Sequence, residues 1–207
     1  MRRMENDDDS SDETRRGGDI EVRYDGRYLG LHERGGWEFA TRTNATGVVV
    51  VLAVTADEQI VLVEQYRVPV DCRVIELPAG LVGDDGDPDE DTAAAAAREL
   101  WEETGYRAGS LTLLTRCPSS AGLTDETLTF YLAQDCRQEG PGGGDGSEDI
   151  TVHTVPLARV DRWLASAQTD GYAFDPKVYT ALYWLERRPE LASLLPDTGP
   201  LRPRGQS

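Results

Sequence analysis

A chain of 207 residues that is 39% hydrophobic is long enough for one well-packed core, and the length favours a single domain. Its 38 acidic and 21 basic residues leave a formal charge of −17, which excludes a long phosphate-binding surface for DNA or RNA but not a small anionic ligand held by a few arginines and a metal. Cys72, Cys117 and Cys136 are odd in number and too widely spaced for a zinc pattern, and no apolar run reaches signal or membrane length. These features predict a cytoplasmic protein without a membrane partner.

Residues 1–18 are polar and mixed in sign, with Asp7-Asp8-Asp9 at their centre, and read as a disordered tail. Glu21 to Gly30 and Trp37 to Arg42 read as short strands around the Glu33-Arg34-Gly35-Gly36 turn, giving a small N-terminal β subdomain over residues 19–45. The main domain then spans 46–195, and residues 196–207 form a flexible tail. Gly47 to Thr55, and Ile60 to Gln65 after the Asp57-Glu58 turn, are Val/Leu-rich and predict central strands under helices.

Leu77-Pro78-Ala79-Gly80 predicts a stiff turn whose backbone carbonyls face the following helix. That helix begins with Asp87 as N-cap, Pro88 as its first residue and Glu90 as the acid of a capping box, and Gly105 stops it. With successive residues about 100° apart, Glu99, Glu102 and Glu103 share one arc, beside an apolar stripe of Ala93, Ala97 and Leu100. Acids spaced three and four apart repel one another and oppose the helix dipole in its last turns. A hard divalent cation would reverse the sign of that cost. A solvated acidic face is the plain alternative.

Leu111 to Arg116, Thr127 to Ala133 and Thr151 to Val155 supply further strands, so the order of elements predicts an α/β sandwich with a mixed sheet. Gly140 to Gly146 reads as a mobile loop and lacks the Lys-Ser/Thr ending of a phosphate-binding loop. Leu157 to Gln168 and Pro176 to Arg187 read as amphipathic helices, the second packing through Val178, Leu182 and Leu185. His32 and His153 have no paired ligand pattern and read as non-catalytic.

Arg98-Glu99-Leu100-Trp101-Glu102-Glu103-Thr104-Gly105-Tyr106 resembles the core of the Nudix box: Gly, five residues, Glu, seven residues, then Arg-Glu-(apolar)-x-Glu-Glu-x-Gly-(apolar). Glu90 stands at the required spacing from Arg98. The opening glycine is replaced by Asp84, with Gly80, Gly83 and Gly86 out of register; a second alignment puts Gly86-Asp87-Pro88 at the helix start. Trp37-Glu38, Glu64-Gln65-Tyr66-Arg67, Glu76-Leu77-Pro78-Ala79-Gly80 and Gly122-Leu123-Thr124-Asp125-Glu126 resemble motifs of the ADP-ribose pyrophosphatase branch.

The resemblance implies a Nudix-type α/β/α sandwich, a homodimer, and hydrolysis of ADP-ribose or a related ADP-sugar with Mg²⁺, or Mn²⁺ in its place. It implies metal ligation by Glu99, Glu102, Glu103 and the Ala79 carbonyl, with Glu103 also catalytic. Glu90, Arg98 and Gly105 would be structural. Glu148 would be the loop base, with Glu139 and Asp149 as rivals. Arg67 would meet the phosphates and Trp37 would stack on the base, often across a dimer interface; Arg42, Gly80 and Glu126 would complete the substrate site. UDP- or GDP-sugar and dinucleotide pyrophosphatases share much of this pattern. A catalytically silent ligand-sensing or protein-binding module of the same fold is the non-enzymatic alternative, although such modules typically lose box carboxylates that are all present here.

Overall fold

The computed structural model describes residues 18–84, 86–144 and 149–191, with side chains as far as Arg187. Three expectations fall largely or wholly outside the described residues: the tails at either end and Glu148.

The main sheet is organised around β4 (Gly47–Thr55), whose run of valines is buried on both faces. Such a strand reads as continuously apolar because both sides are covered. Alternation still divides its side chains. Val50 and Leu52 join Ile60, Leu62, Ile75, Leu164, Val178 and Ala181 in one core layer. Val49, Val51 and Ala53 join Val61, Ala95, Ala96 and Leu100 in the other.

The first layer lies under α2 (Val160–Thr169) and α3 (Lys177–Leu191), and the second lies under α1 (Thr92–Thr104). The sheet is mixed: β4 runs parallel to β10 (Thr127–Gln138) and antiparallel to β5 (Gln59–Arg67). The expected α/β/α sandwich is therefore the observed architecture.

β4 and β5 pair only beside their hairpin, at Ala53↔Val61 and Val54↔Ile60. Further along, β5 takes β6 (Cys72–Glu76) as its antiparallel neighbour and β4 takes β7 (Ala79–Val82). The predicted Leu77–Gly80 turn is thus only a break at Leu77-Pro78, where the Val51 amide donates to the Pro78 carbonyl at 2.8 Å. Ala79 and Gly80 already belong to a strand. β8 (Tyr106–Arg107), β9 (Ser110–Pro118), β11 (Thr151–Pro156) and β12 (Ala173–Phe174) complete the sheet.

The N-terminal subdomain is a separate antiparallel sheet of β1 (Ile20–Asp25), β2 (Leu29–Arg34) and β3 (Trp37–Arg42). The expected strand from Glu21 to Gly30 is broken by a turn in which the Gly26 amide meets the Leu29 carbonyl at 2.8 Å. This sheet joins the main domain through the loop at 119–126. Ala40 and Asp125 exchange backbone bonds with Leu123 and Ala40 in turn, and Trp37 Nε1 donates to the Gly122 carbonyl. Among the described residues no helix is long and apolar enough to cross a membrane.

Two helical expectations are corrected. The N-cap of α1 is Asp91, whose carboxylate accepts from the Ala93 and Ala94 amides at 3.0 and 3.1 Å. Asp87 caps the turn before it, through the Asp89 amide, so Glu90 is not the acid of a capping box. The stripe is rotated as well: Ala97 is exposed, while Ala95, Ala96, Glu99, Leu100, Glu103 and Thr104 are buried. Gly105 does end the helix, at φ 71°, with its amide on the Trp101 carbonyl.

Candidate active site

Because Glu90 precedes the cap rather than entering the helix, its carboxylate is free to turn inward. It accepts from the Gly83 amide at 2.9 Å and from two nitrogens of Arg98, at 3.1 and 3.3 Å. The rest of the Arg98 guanidinium reaches the Leu81 carbonyl at 3.1 Å, Glu99 at 2.8 Å and Glu102 at 3.2 Å, with Asp84 at 3.6 Å. Five donors in a planar fork suit this task, which a lysine could not perform.

One arginine thus ties the 81–90 segment to α1 and lies among four carboxylates. The bond to Arg98 holds the Glu90 carboxyl below its usual range. Burial pulls the Arg98 guanidinium down, but Glu90 and Glu99 outweigh it and raise it further.

The acids of α1 have different surroundings. Glu103 is 3% exposed, and its Oε2 accepts from the Ala79 amide at 3.1 Å. Ala79 therefore meets the helix through its N–H, where a carbonyl contact was expected. Glu99 lies directly on Gly80: a Cβ built there would fall 1.9 Å from the Glu99 carboxyl carbon. Burial pushes the Glu99 carboxyl up to about 7 against the pull of Arg98. Glu102 is exposed at the rim.

Glu99, Glu102, Gly80 and Arg98 line a cavity of about 420 Å³ together with Arg67 and Arg42. Arg67 is held by a bidentate pair with buried Glu76, and Arg42 by Glu126. Arg42, Glu126 and Asp125 wall a neighbouring cavity of about 110 Å³, and Asp125 also borders one of about 450 Å³ beside Trp37, Phe39 and Gly122. Trp37 is 52% exposed, its ring edge pinned by the Gly122 carbonyl. Trp37, Arg42, Glu126, Arg67 and Gly80 therefore lie along successive cavities that share walls. Glu76 was not singled out from sequence; the signal was an acid inside the apolar run Val74-Ile75-Glu76-Leu77, on the sheet face that carries Arg67.

Gly140 to Gly144, the described part of the glycine-rich connection after β10, depart from expectation, and Gly146 lies outside the described residues. Gly140 to Gly144 are packed against the C-terminal end of α1, where the Gly143 and Gly144 amides donate to the Glu103 and Glu102 carbonyls at 2.8 and 3.0 Å. A Cβ at Gly140 would meet the Trp101 ring at 2.6 Å, and one at Gly142 the Thr104 backbone at 2.4 Å. These glycines permit close approach rather than motion. Of the rivals for the loop base, Glu139 faces Arg107 at 3.3 Å and Asp149 faces Arg73 at 2.9 Å. Both histidines pair with acids, His32 with Asp25 and His153 with Glu64, outside the cavity.

Among the described residues no three acid, histidine or cysteine side chains converge into a ready-made metal centre. Glu99 and Glu103 are turned towards Arg98 and Ala79. The donor chemistry nonetheless suits a hard cation, since the oxygens are carboxylates on successive turns of one helix. A carboxyl that burial lifts to about 7 at a cavity wall is also one that a cation would return to its anionic form.

The family model described as NUDIX domain matches residues 43–182. The chain is 31% identical over 141 residues to the methanol dehydrogenase activator of Bacillus methanolicus, covering 68% of this chain and 72% of that one. It is 34% identical over 146 residues to the ADP-ribose pyrophosphatase of Bacillus subtilis (strain 168), covering 70% and 75%. Among solved structures, that of an ADP compounds hydrolase superposes with a TM-score of 0.64 at 22% identity, covering 85% of this chain and 93% of that one, which shows a shared fold. Family match, relatives and architecture agree: the chain belongs to the NUDIX domain family and is a Nudix hydrolase.

Proposed function

We propose that this protein hydrolyses the diphosphate linkage of ADP-ribose or a related ADP-sugar, giving AMP and a sugar phosphate, with Mg²⁺ as its ion. The observation that carries the reading is one cavity lined by Glu99 and Glu102 together with Arg42 and Arg67. Carboxylates for a cation and guanidinium groups for phosphate oxygens are what a diphosphate requires from one cavity. The ADP-ribose pyrophosphatase among the relatives supports the choice of nucleotide.

Glu99, Glu102 and Glu103, with the Ala79 carbonyl, would hold the ion, which when bound neutralises diphosphate oxygens and makes water a better nucleophile. Arg67 and Arg42 take the phosphates. Their pairing with Glu76 and Glu126 fixes them before the ligand arrives, so little ordering entropy is lost on binding. Trp37 offers its open face to the base, a stack contributing roughly 1 to 3 kcal/mol. Glu148 takes the proton of the attacking water, whose oxygen ends on one phosphate as the bridging P–O bond breaks. Glu90, Arg98 and Gly105 hold the helix and its loops in place.

The protein acts in the cytoplasm as a homodimer, residues 46–195 carrying the reaction and 19–45 the base contact. Val22, Tyr24, Tyr28 and Leu29 on the N-terminal sheet are each more than half exposed, and a second copy would cover them. Sedimentation at a single monomer mass during full turnover overturns the dimer. A hydrolysis panel of ADP-ribose, UDP-glucose, GDP-mannose and NADH tests the substrate, with release of AMP and ribose 5-phosphate from ADP-ribose as the expected result. No turnover of any of the four would point to a binding module, a role that a relative named as an enzyme activator makes worth testing.

A further inference from the structure

The connection from β10 to β11 is fastened at both of its described ends, by different means. Upstream, the Gly143 and Gly144 amides close the carboxyl end of α1 on the carbonyls of Glu103 and Glu102, the second of which lines the cavity with its side chain. Downstream, Arg73 on β6 reaches Asp149 twice: Nη1 to Oδ2 at 2.9 Å and Nη2 to the backbone carbonyl at 3.4 Å.

Arg73 is itself held from behind. Its Nε donates to Glu64 on β5, a residue only 7% exposed, and the other oxygen of Glu64 meets His153 Nε2 on β11 at 2.8 Å. The His153 ring packs on Trp163 of α2, with centroids 5.1 Å apart. None of these residues lines the cavity of Glu99, Glu102, Arg42 and Arg67. Glu64 and Arg73 alternate with Gln65 and Glu76 along their strands, so they face α2 while Glu76 faces α1. Burying a carboxylate between an arginine and an imidazole contributes little to net stability compared with an apolar packing of the same volume. What it does here is fix a guanidinium at the sheet rim, in one orientation, aimed at the returning chain.

We propose that Arg73, braced by Glu64 and His153, is a positioning residue for the hydrolysis described above: it holds Asp149, two residues before β11 begins to pair with β5, in one place against the sheet. This rests on the hydrolase reading. The two described ends are held separately, Gly143 and Gly144 by the end of α1 and Asp149 by Arg73.

The test is a double-mutant cycle on the full chain. Asp149→Asn removes the charge from the outer link, on a side chain that is 83% exposed, and leaves the backbone contact in place and Glu64 paired. Arg73→Lys keeps a cation on Glu64 but cannot fork to Asp149 as well. Each single variant should lower kcat on ADP-ribose by about 5- to 30-fold with KM within about threefold, and the double variant should be no worse than the worse single one. Melting temperatures should stay near wild type. Amide exchange at Ile150 and Thr151 should quicken by about tenfold in both single variants, a readout that does not depend on turnover. Unchanged exchange, single variants within twofold of wild type in kcat, or fully additive losses overturn the proposal. A loss beyond about 100-fold in Asp149→Asn alone, with one limb of the pH profile gone, also overturns it and makes Asp149 the base. Inactive wild-type protein overturns the hydrolase reading, and the positioning role with it; active wild type with unaffected variants overturns the positioning role alone.

Discussion

The carboxylate of Glu99 rests on the α-carbon of Gly80, with no room for a methyl group between strand and helix. The group that would be displaced is the far end of a flexible side chain bordering a cavity, not a piece of backbone. Gly80→Ala should therefore fold, losing less than about 1.5 kcal/mol of stability, while Glu99 swings out of place and activity falls by at least about tenfold. Gly142→Ala makes the opposite case, because its methyl meets the Thr104 backbone at a residue with φ of 64°. It should cost more stability, about 2 kcal/mol or above. Paired urea melts and turnover assays separate the two, and a Gly80→Ala protein of full activity would sink the first expectation.

Glu103, buried behind the cavity on the same helix, offers a second test of the ion site. Glutamine keeps an oxygen for the Ala79 amide, so Glu103→Gln should fold normally. Loss of its charge should lower kcat at saturating Mg²⁺ by at least about 10²-fold if it holds the ion. Equal activity at saturating Mg²⁺ removes Glu103 from the site.

The raised carboxyl of Glu99 makes stability depend on pH in a definite sense. Its folded value, about 7, lies above the ordinary 4.5, so the folded protein binds that proton more tightly than the unfolded chain does. Without a divalent ion, stability should fall as pH rises from about 4.5 to about 7, by at most roughly 3 kcal/mol, and stay low above that. Glu99→Gln should abolish this contribution. Urea melts in chelator at pH 5 and pH 8 check it, and adding Mg²⁺ or Mn²⁺ at pH 8 should restore stability to the wild type only. A variant that keeps the full slope would show that another group titrates.

For the loop base, Glu148→Gln should lower kcat by roughly 10² to 10⁴ while KM moves little. The assay needs several pH values at fixed free Mg²⁺, since a weakened ion site mimics a missing base. A kcat within about threefold of wild type throughout shifts the search to Glu139, because Asp149 is addressed by the cycle above.

Continuous runs and a lone stop residue were legible, whereas the periodic stripe of α1 was read on the wrong face, with Ala97 exposed and Ala95 and Ala96 buried. The valines of β4 followed from their run, and the end of α1 from Gly105, which takes the left-handed φ of 71° that such a stop needs. The start of α1 was misplaced because Asp87 and Asp91 are both good caps, and sequence does not say which turn becomes the helix. β6 and β7 were overlooked because Pro78 interrupts a segment whose two halves pair with different strands. Gly140 to Gly144 misled for a physical reason: a missing Cβ allows looseness and close contact alike, and only the facing Trp101 and Thr104 decide between them. Asp84, read as a flaw in the box, stands at 3.6 Å from Arg98, within the same acidic ring as Glu90.

The N-terminal sheet meets the rest of the chain mainly through short bonds to one loop: Ala40 to Leu123, Trp37 to Gly122, Thr41 to Asp125 and Arg42 to Glu126. If Trp37 meets the base as proposed, grafting a different nucleotide preference onto this scaffold would require residues 19–45 and 119–126 to be transplanted as a matched set. Exchanging the sheet alone would leave Asp125 and Glu126 facing strangers, and exchanging the loop alone would leave Arg42 without Glu126 at the wall of the cavity it shares with Glu99 and Arg67.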